Sequence, residues 1–224
     1  MLSKEEQYLF NLSAISHEIR NPVAIINSYL QLTQRKHPEV QSFDTWAPLM
    51  ENMDFLKKLL QDLSAYTNAG KINKQLCSLT DIIEHVLVSS QPAALPIIIT
   101  FEKPDTVPLT YLDQGRIRCA LMNLIRNSYE SIKNKDSGRI QLSLLCQNDN
   151  FILSVSDNGE KIPEEHLPTL FQPFITYKSD GTGLGLALVY EIISAHNGQI
   201  SVCSTEEETC FKIILPMDRE IQNP

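Results

Sequence analysis

Two apolar series with spacings that alternate between three and four dominate the start of the chain. The first runs through Leu9, Leu12, Ile19, Val23, Ile26 and Leu30, with polar Ser16 taking one of its positions. The second runs through Trp46, Leu49, Met53, Leu56, Leu60 and Leu63. An α-helix turns once every 3.6 residues, so each series draws a stripe along one helix face. Between them Arg35, Lys36, His37, Pro38 and Glu39 form a polar stretch containing a helix-ending proline. Two long helices joined so closely make an antiparallel hairpin, which alone buries little. Pairing with a second copy into a four-helix bundle covers both stripes, so a homodimer is expected.

The period breaks at Thr67, Asn68, Ala69, Gly70 and Lys71, and the texture then changes. Helical patterns are expected over 79–88, 114–133 and 184–195, the last stopping at Asn197-Gly198. Strands are expected over 97–101, 140–145, 151–155, 199–203 and 210–215, with a turn at 147–150. Strands interleaved with helices predict a two-layer α/β sandwich. The expected organisation is a helical hairpin over 1–69, a linker over 70–76 and the α/β domain over 77–224.

Composition excludes several classes of function. Nineteen Lys and Arg against 27 Asp and Glu leave a net charge of −8. That balance argues against a surface that neutralises nucleic-acid phosphates or sits on anionic lipid. Apolar runs such as Ile97-Ile98-Ile99 fall far short of the about 20 residues a membrane helix needs. Lys4, Glu5 and Glu6 are unlike a secretory signal. The five cysteines include no C-x-x-C pair, which suggests a reducing cytosol rather than metal or disulfide duty.

Several motifs carry chemistry. Ser16-His17-Glu18-Ile19-Arg20-Asn21-Pro22 places His17 one residue past a seam position, facing away from the seam. A neutral imidazole is a competent nucleophile, and Glu18 can hold its tautomer and accept the proton lost on attack. Pro22 lacks a backbone donor and is expected to bend the helix one turn later. Asn123 and Asn127, four apart, share one helix face. Asp157-Asn158-Gly159-Glu160-Lys161-Ile162 follows a strand. Further on, Phe171-Gln172-Pro173-Phe174-Ile175-Thr176-Tyr177-Lys178 precedes Gly181-Thr182-Gly183-Leu184-Gly185-Leu186. Glycines so spaced let backbone N–H groups reach phosphate oxygens at a helix start, where the dipole favours an anion. Lys178 can add a point charge there. Phe171 and Phe174 are expected to pack rather than bind. Histidines 37, 85, 166 and 196 fit no ligand spacing and are read as surface or capping residues.

His17 to Pro22 resembles the H-box of sensor histidine kinases, and the later motifs resemble that family's N, G1, F and G2 boxes in the expected order. The resemblance covers about residues 13–216. It implies a phosphoacceptor hairpin followed by a Bergerat-type ATP-binding sandwich. His17 would be autophosphorylated from ATP with Glu18 as general base, and Asn21 would place water when a response regulator is dephosphorylated. Asn127 would ligate the Mg²⁺ that bridges the ATP phosphates, with Asn123 on the same face. Relatives of the gyrase and MutL type carry Glu at the Asn123 position to activate water. An amide cannot do that, which favours a kinase over an ATP-driven clamp.

By the same resemblance Asp157 accepts a hydrogen bond from the adenine amine, and Gly159, Lys178, Gly181, Thr182, Gly183, Leu184 and Gly185 line the nucleotide site. Thr209 occupies the place of a hydroxyl that reaches adenine through water, although Glu208 replaces the usual preceding glycine. Ser128 replaces a customary Ala. Lys161 replaces the second G1 glycine, and costs on the order of 1 kcal/mol if that position needs φ > 0.

The implied function is autophosphorylation of His17 from Mg-ATP and transfer to an aspartate of a separate response regulator, together with dephosphorylation of that regulator. A phosphotransferase or phosphatase with a degenerate ATP domain, and a non-catalytic dimeric scaffold, are the alternatives. Hairpin and ATP domain account for the whole length. The chain is therefore expected to be either the core of a longer, membrane-anchored kinase or a free-standing cytoplasmic one.

Overall fold

The computed structural model describes residues 4–90, 97–133, 135–178 and 181–218. Two compact units emerge: the first holds the residues up to Asn68 together with Thr176–Leu184, the second Ala69–Ile175 together with those from Gly185 on.

In the first unit, α1 (Lys4–Lys36) and α2 (Trp46–Thr67) form the hairpin that the two stripes predict. Helix α1 continues through Pro22, whose missing N–H leaves the Glu18 carbonyl without its helical partner. Val23, Met53 and Leu60 make the buried core, with Leu30 and Leu56 packed on it. Much of the α1 apolar surface stays exposed, notably Tyr8, Ile15, Ile19 and Ile26.

The second unit is a sheet under three helices. Its five strands, β2 (Ile97–Glu102), β4 (Gly138–Gln147), β5 (Asn150–Asp157), β6 (Gln199–Ser204) and β7 (Thr209–Pro216), lie in the order β2-β4-β5-β7-β6. Only the β2–β4 pair is parallel; the others are antiparallel. Strands β1 (Gln75–Cys77) and β3 (Thr110–Leu112) form a separate antiparallel pair. They are too short to show a pattern in sequence, and β1 takes in Gln75 and Leu76 of the expected linker.

Strict alternation sends one face of the sheet inward: Ile140, Leu142 and Leu144 from β4, Phe151, Leu153 and Val155 from β5, and Phe211, Ile213 and Leu215 from β7. Helices α3 (Leu79–Ser90), α4 (Gln114–Ile132) and α5 (Gly185–Ala195) supply the opposite side of this core, including Ile83, Ile117, Leu121, Leu124 and Val189. Each fully buried side chain of this size contributes roughly 1.5–3 kcal/mol. Asn148 and Asp149, with φ of 50° and 55°, make the two-residue turn between β4 and β5, as a tight hairpin with right-handed twist requires. Among the described residues, no helix is long and apolar enough to cross a membrane.

One histidine differs from expectation. His37 and His85 are exposed, but His196 at the end of α5 is only 1% exposed. Its Nδ1 lies 2.8 Å from the Ile192 carbonyl, and its Nε2 accepts the Asp113 N–H at 3.0 Å. Asp113 in turn caps α4 by accepting the Arg116 N–H. An imidazole that donates from one nitrogen and accepts at the other must be neutral, and burial lowers its pKa. The unfolded chain therefore binds the proton first as pH falls. Stability is fully present above the unfolded value near 6.5 and declines below it. Urea unfolding between about pH 7 and pH 5.5 is expected to show this loss. The same pH slope in a His196→Gln chain would sink the assignment.

Candidate active site

Helix α4 and the ends of β5, β6 and β7 build the centre of the second unit. Alternation along β5 places Asp157 on the same inward face as Phe151, Leu153 and Val155, so its carboxylate ends 4% exposed at the strand's tip. Ser131 Oγ donates to Asp157 Oδ1 at 2.7 Å, and the Gly159 N–H donates to the same oxygen at 2.9 Å. Among the described residues Oδ2 takes no hydrogen bond. Gly159 is indispensable to this packing, because a methyl group there would stand 2.1 Å from Ser131 Oγ.

Thr209 is the register partner of Asp157 across β5–β7 and of Ser204 across β6–β7. The two hydroxyls, Ser204 Oγ and Thr209 Oγ1, lie 2.6 Å apart, and Ser204 Oγ also accepts the Ile162 N–H. Strand pairing thus brings Asp157 beside Thr209, while the Ser204 bond ties the G1 loop to the same hairpin.

Asn123 is fully engaged: its amide nitrogen donates to the Cys119 carbonyl at 2.9 Å, and Oδ1 accepts from Arg126 at 2.8 Å. An amide held on both sides orients its neighbours and cannot serve as a base. Asn127 lies one turn further along the same face, partly exposed. A methyl group at Gly185 would lie 3.0 Å from Asn123 Oδ1 and 3.4 Å from the Arg126 guanidinium. The first residue of α5 therefore sits directly on the Asn123–Arg126 pair.

The remaining predicted residues lie in the first unit. His17, Glu18 and Asn21 are all exposed on α1. Thr182 donates to Asp62 Oδ2 at 2.7 Å, so its hydroxyl is committed to α2. Gly183 takes φ of 69°, which favours glycine, and a methyl group at Gly181 would stand 2.2 Å from Thr176 Oγ1. Lys178 is exposed, and its N–H donates to Thr176 Oγ1. Leu184 is buried, and α5 starts at Gly185, one residue later than expected. Ser179 and Asp180 lie outside the described residues.

Two expectations need correction. Lys161 incurs no strain: it is absent from the positive-φ residues, and its ammonium lies 3.1 Å from Glu206. The loop accommodates a side chain where the family pattern has glycine. Phe171 packs against Tyr190 and Phe211, with ring centroids 6.1 Å and 6.4 Å away, but Phe174 is 44% exposed with φ of 65°. Helix α5 does stop at Asn197-Gly198 as expected: Asn197 takes φ of 58°, and the Gly198 N–H closes the cap on the Ile193 carbonyl.

Ser128, in the place of an alanine, is fully buried, and its hydroxyl has no hydrogen-bond partner among the described residues. Ser128→Ala is expected to stabilise the chain by about 1 kcal/mol, since a buried unsatisfied hydroxyl costs roughly that much or more. A lowered melting temperature in that variant would contradict the assignment.

Sequence reasoning missed Ser131, Arg126 and Ser204. Ser131 was within reach, because it stands four residues after Asn127 on the face that already carries Asn123. Ser204 leaves no local signal; only strand register places it.

The site thus combines a sheet under three helices, a buried carboxylate at a strand tip and a glycine-led helix seated on the Asn123–Arg126 pair. Residues 112–219 match the family described as histidine kinase-, DNA gyrase B- and HSP90-like ATPases. The chain is 29% identical over 210 residues to the signal transduction histidine-protein kinase AtoS of Escherichia coli K12, covering 92% of this chain and 34% of that protein. It is 31% identical over 209 residues to the sensor histidine kinase ZraS of Salmonella typhimurium, covering 92% of this chain and 45% of that protein. The crystal structure of full-length ShkA in complex with AMPPNP shares the fold, with a TM-score of 0.76 and 22% identity over 93% of this chain and 46% of that one. Residues 112–219 thus match this ATPase family, and the chain is similar over more than nine-tenths of its length to the catalytic region of sensor histidine kinases. It spans less than half the length of these two curated relatives.

Proposed function

We propose that the chain is a two-component histidine kinase core that phosphorylates His17 from Mg-ATP and passes the phosphoryl group to an aspartate of a response regulator. The observation that carries this reading is Asp157. One carboxylate oxygen is anchored by Ser131 and Gly159, while the other takes no hydrogen bond among the described residues and is available to an exocyclic amine. A fixed acceptor of this kind selects adenine over guanine, whose corresponding position is a carbonyl.

Asn127, one turn beyond Asn123 on α4, carries an amide oxygen of the kind that suits Mg²⁺. Bound there with ATP, the ion would neutralise phosphate charge. Arg126, held by Asn123, and the backbone N–H groups at the start of α5 would add positive potential for the phosphates. In this reading His17, exposed on α1, would supply the nucleophile that attacks the γ-phosphorus, and Glu18 beside it in sequence would accept the ring proton. Catalysis is then mostly positioning and charge stabilisation. The exposed stripe of Tyr8, Ile15, Ile19 and Ile26 supports pairing with a second copy, and Asn21 would place the water that hydrolyses the regulator's aspartyl phosphate.

Incubation with γ-labelled ATP and Mg²⁺ tests the reading. The expected product is phosphate on the chain that is acid-labile and alkali-stable. Acid-stable label, or none despite measurable nucleotide binding, would overturn it.

A further inference from the structure

Cys203 on β6 and Cys210 on β7 are direct register partners in an antiparallel pair, and both are free thiols. Residues directly opposite in such a pair project from the same face of the sheet. That face is the one turned away from the helices: Thr209, Phe211 and Ile213 are buried, whereas Cys203 is exposed and Cys210 partly so. Opposed residues of an antiparallel pair have Cα atoms about 4.5–5.5 Å apart, inside the about 4.4–6.8 Å that a disulfide spans. Lys212 and Ser201, the next register pair along the same face, are both exposed. The other three cysteines, Cys77, Cys119 and Cys146, have no cysteine as a strand partner.

We propose that Cys203 and Cys210 form an oxidisable dithiol, a modification site that closes to an intrachain disulfide when the chain meets a peroxide. The Cys203 thiolate attacks one peroxide oxygen, the O–O bond breaks and a sulfenic acid forms with loss of hydroxide. The Cys210 thiolate then attacks that sulfur, the S–O bond breaks and the S–S bond forms. The two thiols lose two electrons and two protons, and the peroxide is reduced to two waters. An exposed cross-strand bond is of the labile kind, so a dithiol reductant returns both thiols by exchange. It lies one rung from the Ser204–Thr209 pair, on the hairpin that faces Asp157. The proposal rests on strand register and exposure, independently of nucleotide binding.

Treatment of the whole chain with one equivalent of hydrogen peroxide, followed by intact mass and non-reducing peptide mapping, tests it. The expected result is a loss of about 2 Da, one linked peptide pair containing both residues, and full reversal by dithiothreitol. In Cys210→Ser, over-oxidation of Cys203 to the sulfonic acid is expected to be at least about tenfold faster than in the unaltered chain, because the resolving thiol is missing. A cross-link between other cysteines, no mass loss, or equal rates of Cys203 over-oxidation in the two chains would overturn the proposal.

Discussion

A His17→Gln chain is expected to take up less than about one hundredth of the label that the unaltered chain takes from Mg-ATP, while binding nucleotide within about twofold. Glutamine keeps a polar side chain at an exposed helical position, so α1 and its packing survive. Removing the imidazole removes the only group there that can form a phosphoramidate. Nucleotide affinity should hold, because the groups proposed to contact adenine and phosphate sit on α4, β5, β7 and the start of α5, outside the helical hairpin. Paired measurements of label and nucleotide binding separate a lost nucleophile from a lost site. Substantial acid-labile label on the variant would move the acceptor to another histidine.

The converse is expected of Asp157→Asn, which should weaken nucleotide binding by about 30- to 1,000-fold without unfolding the chain. Asparagine can keep an oxygen where Oδ1 now accepts from Ser131 and Gly159, but its amide nitrogen then occupies the place of Oδ2. A donor would face the adenine amine, itself a donor. Losing that hydrogen bond and leaving two donors opposed costs roughly 2–4 kcal/mol, and each 1.4 kcal/mol is a factor of ten. Titration calorimetry with a non-hydrolysable ATP analogue measures the loss, and thermal unfolding checks the fold. Binding unchanged within threefold would remove Asp157 from the site.

Both variants alter residues that local sequence pattern already marks, whereas the groups around them carry no such mark. Alternation from Phe151 to Val155 points Asp157 inward, and the four-residue spacing sets Asn123 and Asn127 on one face. Ser131 shares that face, yet nothing in its own neighbourhood pairs it with a carboxylate 26 residues away. The Asp113–His196 link joins residues 83 apart in sequence, and no local pattern predicts it. Lys161 shows the opposite error. The family pattern suggests strain there, but the loop has its own shape and an ion pair with Glu206 to hold it. Glycine spacing puts Thr182 in a phosphate loop, yet its hydroxyl is held by Asp62.

Local pattern alone accounts for the two helices of the hairpin, the inward face of most strands and the identity of the chemistry-bearing side chains. Periodicity, turns, caps and alternation act over a few residues, so a short window of chain suffices to read them. Long-range packing is what stands Asp157 beside Thr209, rests Gly185 on Asn123 and Arg126, and sets Cys203 opposite Cys210. These neighbours come from strand register and helix packing, which are set by burying many apolar side chains at once rather than by any one segment.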